Sequence, residues 1–189
     1  ALYKGDVVPV GEDQLPHLEL AREIVRRFNS LFGFVFPEPQ AKLTSSPLIL
    51  GLDGVQKMSK SYNNQIEISA SSQEIRERVM TAVTDPARRY RSDPGHPEIC
   101  NVFRLHNVFT PVRVDEIASE CRSAGIGCVD CKKILAQNIG STLEPFREKR
   151  AALSSTPDYI VQVLTEGAKR AEGIAKKTIR EAKEKMGLL

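Results

Sequence analysis

The stretch Val7–Gln14, which reads VVPVGEDQ, decides the fold class of this chain. Its first four residues are apolar apart from Pro9, and a short apolar run of this kind predicts a buried strand. Gly11 ends the strand, and the two acidic residues after it favour the start of a helix because they stabilise the positive end of the helix dipole. A partly apolar stripe continues this helix to Gly33. A strand that turns directly into a helix is an α/β unit, and such units usually bind a ligand where the strand ends.

The chain changes character near residue 70. Before it, a proline-rich connection and the apolar segment Leu48–Leu50 predict one more strand, and a polar loop occupies residues 51–64. After it the pattern is helical almost throughout, with Ser72 as the predicted cap of the first helix and Pro145 as a predicted kink or break. The predicted helices cover residues 73–83, 98–110, 115–124, 132–153 and 157–186. The expected fold class is therefore α/β plus all-α.

Composition excludes several classes of protein. The 189 residues are 41% hydrophobic and 27% charged, which is typical of a globular protein and excludes a disordered tail, a collagen-like repeat and a disulfide-dense mini-protein. The net charge of +3 is too small to identify a nucleic-acid binder, and its positive excess lies in residues 132–189, as on a solvated helical surface. No segment can span a membrane and no basic-then-apolar leader opens the chain, so we expect a cytoplasmic protein without membrane contact.

The most specific string is Lys57–Ser61, KMSKS, in a loop that also contains Gly51 and Gly54. It places two ammonium groups three residues apart among small residues. A lysine can follow phosphate oxygens because its charge is compact and its stem is flexible, and positive charge aimed at developing negative charge lowers a barrier. A solvated loop is the alternative interpretation, and the five-residue string makes it the weaker one.

The string Val8–Gln14 carries groups that suit a nucleotide. Gly11 lets a ligand approach the backbone closely, and the first amides of a helix are available to donate hydrogen bonds. Asp13 can accept from ribose hydroxyls, and Gln14 can both donate and accept. Acidic residues at a helix start often act only as caps, so this string predicts a nucleotide site mainly in combination with the lysine string.

Both strings resemble a known family. Lys57–Ser61 resembles the KMSKS signature of class I aminoacyl-tRNA synthetases, and Val8–Gln14, together with Ala82–Asp85, resembles the tryptophanyl-tRNA synthetase branch. The resemblance implies that residues 1–70 are the C-terminal end of a Rossmann-like, nucleotide-binding catalytic domain and that residues 71–189 are a helical anticodon-binding domain. The family's HIGH signature and its indole-binding aspartate are absent, so we expect a C-terminal portion that is inactive by itself.

The resemblance also implies roles for individual residues. The family activates L-tryptophan with ATP and Mg²⁺ to tryptophanyl-AMP, without a covalent protein intermediate, and transfers it to tRNA(Trp) as a homodimer. Lys57 and Lys60 would be catalytic, because they stabilise the departing pyrophosphate. The implied ATP-binding residues are Gly11, Glu12, Asp13, Leu48, Lys57, Met58, Ser59, Lys60 and Ser61. The implied tryptophan-binding residues are Val8, Val10 and Gln14.

Four cysteines follow with a spacing that suits metal ligands: Cys100, Cys121, Cys128 and Cys131. The last two form a C-x2-C pair in a predicted glycine-rich turn, and the first two lie on predicted helices that could converge on it. Four thiolates fit tetrahedral Zn²⁺ or a [4Fe–4S] cluster, and buried cysteines without a ligand are the third interpretation. A subset of tryptophanyl-tRNA synthetases has a similar pattern with a [4Fe–4S] cluster near the anticodon, so the resemblance favours the cluster. It also makes Lys132 and Lys133, next in sequence, predicted tRNA contacts.

Two other classes of protein share some of these features. A non-catalytic RNA-binding helical module, stapled by a zinc or iron–sulfur site, would use the cysteines but has no reason to contain the lysine string. A structural zinc domain that mediates protein contacts would leave both nucleotide strings unexplained.

Overall fold

The computed structural model describes residues 1–43 and 48–189, so Pro47 of the predicted proline-rich connection lies outside the described residues. Within these ranges no helix is long and apolar enough to cross a membrane. The elements are β1 (Val7–Pro9), α1 (Leu15–Phe32), β2 (Gln40–Lys42), α2 (Ser72–Thr81), α3 (Asn101–Phe109), α4 (Val114–Arg122), α5 (Cys128–Ser154) and α6 (Pro157–Lys185).

The predicted strand–turn–helix unit is present. A short 3-10 turn, Glu12–Gln14, joins β1 to α1, and α1 ends at Gly33, whose φ of 90° lies in the region that favours glycine. The strand is not buried as expected, since Val7 is 55% exposed. In a sheet of two strands, each strand covers little of the other's surface, and this explains why Val7 is exposed.

The partner strand differs from the predicted one. β1 pairs in parallel with β2, and Val8 lies opposite Ala41. The segment Leu48–Leu50 forms no strand and contributes only an isolated bridge between Leu50 and Lys57. The sequence pattern missed β2 because two of its three residues are polar and it has no apolar run.

The helical predictions from residue 71 onward are confirmed, with small shifts. Ser71, not Ser72, caps α2: its hydroxyl accepts from the amide of Glu74, whose carboxylate bonds back to the Ser71 amide. Helix α5 starts earlier than expected, at Cys128, and continues through Pro145. Pro145 is exposed, so water can satisfy the carbonyl that loses its helical donor.

The helical core forms where α2 packs against α5. Ile75 and Val79 of α2 and Leu135 and Ile139 of α5 are almost fully buried there. Leu52, just before the lysine string in sequence, belongs to the same core. The loop that carries the lysines is therefore attached to the helices.

Contacts divide the chain into two compact units: Ala1–Leu48 with Thr156–Leu189, and Ile49–Ser155. The sequence-based division at residue 70 instead groups residues 49–70 with the strands and α6 with the helices. Leu52 explains the first difference, and an ion pair between Lys4 and Glu181 of 2.6 Å ties α6 to the first unit. The functional domain boundary at residue 70 stays a prediction, and each unit is described separately below.

Candidate functional site

In the first unit, the turn after β1 presents several polar groups to solvent. Gly11 caps the turn, and its carbonyl accepts from the amide of Gln14 at 3.0 Å. The Gln14 side chain donates to the Asp13 carboxylate at 3.0 Å, and Glu12 beside them is exposed. Exposed carboxylates and an amide at the end of a strand can accept and donate hydrogen bonds to a hydroxyl-bearing ligand. Of the remaining first-unit candidates, Val8 and Val10 are half-buried and Leu48 is exposed.

In the second unit, one buried side chain shapes the loop of the lysine string. Asn64 is only 4% exposed. Its amide oxygen accepts from the backbone amide of Ser59 at 2.8 Å, and its amide nitrogen donates to the Lys57 carbonyl at 3.1 Å and to the Asp53 carboxylate at 2.6 Å. Asn64 therefore fixes the backbone at two positions within the string.

Asp53 completes this arrangement. Its second carboxylate oxygen accepts from the amides of Val55 and Gln56 at 2.9 and 3.0 Å. These bonds, the one from Val55 first, together with the bond from Asn64, lower the pKa of Asp53, so it is ionised at neutral pH. Sequence reasoning missed both Asp53 and Asn64, because single polar residues in a polar loop carry no periodic signal.

The hydrogen bonds of Asn64 require a glycine at position 51, because a side chain there would collide with Asn64. A Cβ at this position would lie 2.0 Å from the Asn64 amide nitrogen and 2.7 Å from Asn64 Cβ. We expect Gly51→Ala to destabilise the protein by about 1–3 kcal/mol, because Asn64 must move and lose its bonds. Urea unfolding measures this difference, and protease cleavage within residues 53–64 should become faster. Gly5→Ala is the matched control, since nothing lies within 4 Å of that Cβ; equal stability of the two variants would contradict the role of Asn64.

The lysine side chains extend outward from this fixed backbone. Ser59 caps the short 3-10 turn Lys60–Tyr62 by accepting from the Ser61 amide at 3.2 Å. Lys57 and Lys60 are exposed, and the Lys60 ammonium lies 3.5 Å from a Glu67 carboxylate oxygen. An exposed pair of this kind is weak, so a phosphate can compete with Glu67 for Lys60.

The four cysteines are free thiols that lie at or near the ends of helices. Cys100 caps α3 and is 8% exposed, Cys121 lies in the last turn of α4, and Cys128 and Cys131 lie in the first turn of α5. Burial raises the pKa of the Cys131 thiol to about 12, and the other three thiols act in the same direction. Burial also raises the pKa of Cys121, again with Cys100 and Cys128 contributing.

The Arg88 side chain places a positive charge next to Cys121, and this charge would stabilise a thiolate. The Arg88 guanidinium lies 3.8 Å from Cys121 Sγ, where it lowers the pKa of that thiol against the effect of burial, and it donates to the Ile126 carbonyl at 2.8 Å. Its Nε is buried and has no acceptor among the described residues. A Cβ on Gly95 would lie 2.4 Å from Cys121 Sγ, so the backbone there leaves no space for a side chain.

His106, a buried histidine that the sequence pattern does not single out, contacts Cys131. The His106 Nε2 atom is 3.3 Å from Cys131 Sγ, and its Nδ1 atom is 2.9 Å from the Thr110 hydroxyl. Burial lowers the pKa of His106, so it is neutral at pH 7.

No group of three or more His, Cys, Asp or Glu side chains in residues 1–43 and 48–189 is arranged to hold a single metal ion. The described residues therefore give no support for either a zinc or an iron–sulfur site, and the metal stays a prediction.

The two lysines after the last cysteine differ in their contacts. The Lys132 ammonium donates to the Met80 carbonyl at 2.8 Å and so links α5 to α2. Lys133 is exposed and pairs with Asp130 at 2.8 Å, a contact that a phosphate could displace. Their contact with tRNA stays a prediction.

Comparison with known proteins gives a consistent result. A family described as class I tRNA synthetases (W and Y), that is, for tryptophan and tyrosine, matches residues 1–144. The chain is 48% identical over 189 residues to a tryptophan–tRNA ligase of Aquifex aeolicus, covering 99% of this chain and 48% of that protein. It is 45% identical over 190 residues to the tryptophan–tRNA ligase of Thermotoga maritima, covering 100% and 58%. The chain thus spans about half the length of these relatives.

A solved structure is similar over the same length. The tryptophanyl-tRNA synthetase of Campylobacter jejuni, in complex with ADP and tryptophan, superposes with a TM-score of 0.77 at 32% identity. The match covers 99% of this chain and 58% of that chain.

Proposed function

The chain belongs to the class I tRNA synthetases for tryptophan and tyrosine, and we propose that the protein carrying it is a tryptophan–tRNA ligase. Such a ligase joins L-tryptophan and ATP into tryptophanyl-AMP and then transfers the tryptophanyl group to tRNA(Trp). The observation that carries the proposal is the 45% to 48% identity, over nearly all of these residues, to relatives named tryptophan–tRNA ligases. Because the chain spans about half of each relative, the activity is proposed for the protein that carries these residues.

The lysine loop would act in the first chemical step. A carboxylate oxygen of tryptophan attacks the α-phosphorus of MgATP, and pyrophosphate leaves with the electron pair of the broken P–O bond. Negative charge grows on the leaving phosphates, and Lys57 and Lys60 would stabilise it together with the Mg²⁺ that the substrate brings. Asn64 supports this role, since it fixes the backbone that carries both lysines.

The other site residues of the family would take the substrates. Glu12 and Asp13 would accept from the ribose hydroxyls of ATP, beside the backbone of Gly11. The further residues proposed to contact ATP are Leu48, Met58, Ser59 and Ser61, and those proposed to line the tryptophan pocket are Val8, Val10 and Gln14. The Rossmann-like character of the strand–turn–helix unit is part of the same proposal.

The proposal predicts an exchange reaction that is specific for one amino acid. The protein carrying this chain should incorporate labelled pyrophosphate into ATP when tryptophan is added, because tryptophanyl-AMP formation is reversible. Tyrosine is the matched control, since the family includes enzymes for both amino acids. Exchange that depends on tyrosine would assign the protein to the other branch, and exchange with neither would contradict the function.

We further propose that the four cysteines hold a [4Fe–4S] cluster, with Zn²⁺ as the alternative. Two observations support a cluster: the sequence places four cysteines in a pattern typical of metal ligands, and Arg88 places positive charge 3.8 Å from Cys121 Sγ, where it would stabilise a thiolate. When bound, the cluster would crosslink the helices through four Fe–S bonds. Cys100, Cys121 and Cys131 would then fix α3, α4 and α5 relative to one another, and no redox step is required.

A role in tRNA binding follows for the surface beside the cysteines. If the cluster fixes the helices, α5 would present Lys133 to the anticodon of tRNA(Trp). Lys132 would join it once its hydrogen bond to the Met80 carbonyl opens. Assembly as a homodimer and a cytoplasmic location are parts of the same proposal that rest on the family alone.

A further inference from the structure

A groove of about 520 Å³ lies beside the lysine loop, in the second unit. Its lining includes Lys60 of the loop, Gln65 and Glu67 of the segment that follows, and Phe146 and Arg150 of α5. The two α5 residues are four positions apart, so they project from the same helix face. The groove thus combines an aromatic ring, two cations, a carboxylate and an amide.

The floor of the groove is fixed from both neighbouring helices. Arg78 of α2 donates to the carbonyls of Asn63 and Gln65 at 2.6 and 3.1 Å. Arg147 of α5 donates to the Ala70 carbonyl at 3.2 Å. The segment 63–70, which forms the floor, is therefore anchored at both ends. A groove with an anchored floor is preformed for a ligand.

Several groups in the groove lack a protein partner. The Gln65 amide oxygen is buried and accepts no hydrogen bond from any described residue. Phe146 is 60% exposed, and Arg150 has no ion pair within the described ranges. The Arg150 guanidinium is therefore available to a ligand phosphate. The exposed ring offers a flat surface on which a base can stack.

We propose that this groove binds one unpaired nucleotide of the RNA substrate, an inference that rests on the proposed tRNA ligase function. The base stacks on Phe146, and its phosphate lies between Arg150 and Lys60. Lys60, Glu67 and Arg150 together leave one net positive charge. This charge matches a single phosphodiester better than a triphosphate. Because Lys60 belongs to the lysine loop, RNA in the groove also contacts the loop that acts on ATP.

A fluorescent probe can test the stacking directly. Phe146→Trp places an indole in the groove, and its emission is measured as the difference between the variant and the unaltered protein. With free tryptophan omitted, a tRNA(Trp) transcript should quench this indole, because a stacked base quenches indole emission. Phe34→Trp, at an exposed position in the first unit (73% exposed), is the matched control and should not be quenched. Quenching by MgATP without RNA would assign the groove to a free nucleotide and overturn the proposal.

Affinity measurements provide the second test. Phe146→Ala and Arg150→Ala should each raise the Kd for the tRNA(Trp) transcript about tenfold, and Arg150→Ala should also reduce the salt dependence by about one ion. Lys149→Ala removes a charge from the neighbouring position of α5, outside the groove lining, and should change the Kd less than twofold. Tryptophan-dependent pyrophosphate exchange without RNA should be unchanged in all three variants. If exchange is normal and the variants bind tRNA(Trp) as tightly as the unaltered protein, the groove proposal alone is overturned. If the unaltered protein neither catalyses exchange nor binds tRNA(Trp), the ligase function is overturned as well.

Discussion

Replacing Lys57 with alanine should lower the rate of tryptophanyl-AMP formation by about 100-fold or more in the protein that carries this chain. The reason is electrostatic: the ammonium is needed most when charge accumulates on the departing pyrophosphate, and water stabilises that charge less well than a lysine carried on a fixed backbone. Affinity for tryptophan should change little, because the lysine acts on the phosphates. Pyrophosphate exchange at saturating tryptophan measures the effect.

Two further variants make this result interpretable. Lys169→Ala removes an exposed lysine from α6 and should leave exchange within about twofold of the unaltered protein, as is usual for surface substitutions. Lys57→Arg retains the charge but changes its shape, so it should recover part of the rate. If Lys57→Ala lost no more activity than Lys169→Ala, the lysine loop would have no part in the chemistry.

Replacing Cys131 with serine should remove most of the iron and lower the free energy of unfolding by about 4 kcal/mol or more, as loss of a structural metal does. Protein purified without oxygen should contain about four irons and four sulfides per chain before the substitution. Binding of tRNA should weaken much more than binding of ATP, because the cysteines order the helices while the lysine loop is shaped separately by Asn64.

The same measurements discriminate among the cofactors. Ser141→Ala, at an exposed position of the same helix, is the control and should retain the metal. One zinc per chain without sulfide would replace the cluster with a structural zinc. Neither metal in the unaltered protein would leave the cysteines as core residues, and equal loss of tRNA and ATP binding in Cys131→Ser would contradict the separate roles.

The parts of this fold that sequence could predict are those with a local signal. The strand, turn and helix of residues 7–33 follow from an apolar run, a glycine and an acidic first turn. Helices α3, α4 and α6 follow from their periodicity and, for α6, from proline at its first position. The lysine loop was recognised because a five-residue string is specific, not because its structure was derivable.

The parts that sequence could not predict depend on contacts between distant residues. Strand β2 is a strand because β1 pairs with it, and its own residues do not favour one. Arg88 reaches Cys121 and Ile126, which are more than 30 positions away, so no local pattern around Arg88 predicts these contacts. The same holds for His106 beside Cys131.

Because the lysine loop depends on Asn64, it is sensitive to chemical deamidation at this position. Slow hydrolysis of an asparagine amide yields aspartate, which cannot donate hydrogen bonds when ionised. At position 64 this change would remove the donors to Lys57 and Asp53 and bring a second carboxylate next to Asp53. Catalytic capacity could thus decline on storage or heating while the helices remain folded. Burial slows this reaction, so the packing that shapes the loop also sets its chemical lifetime.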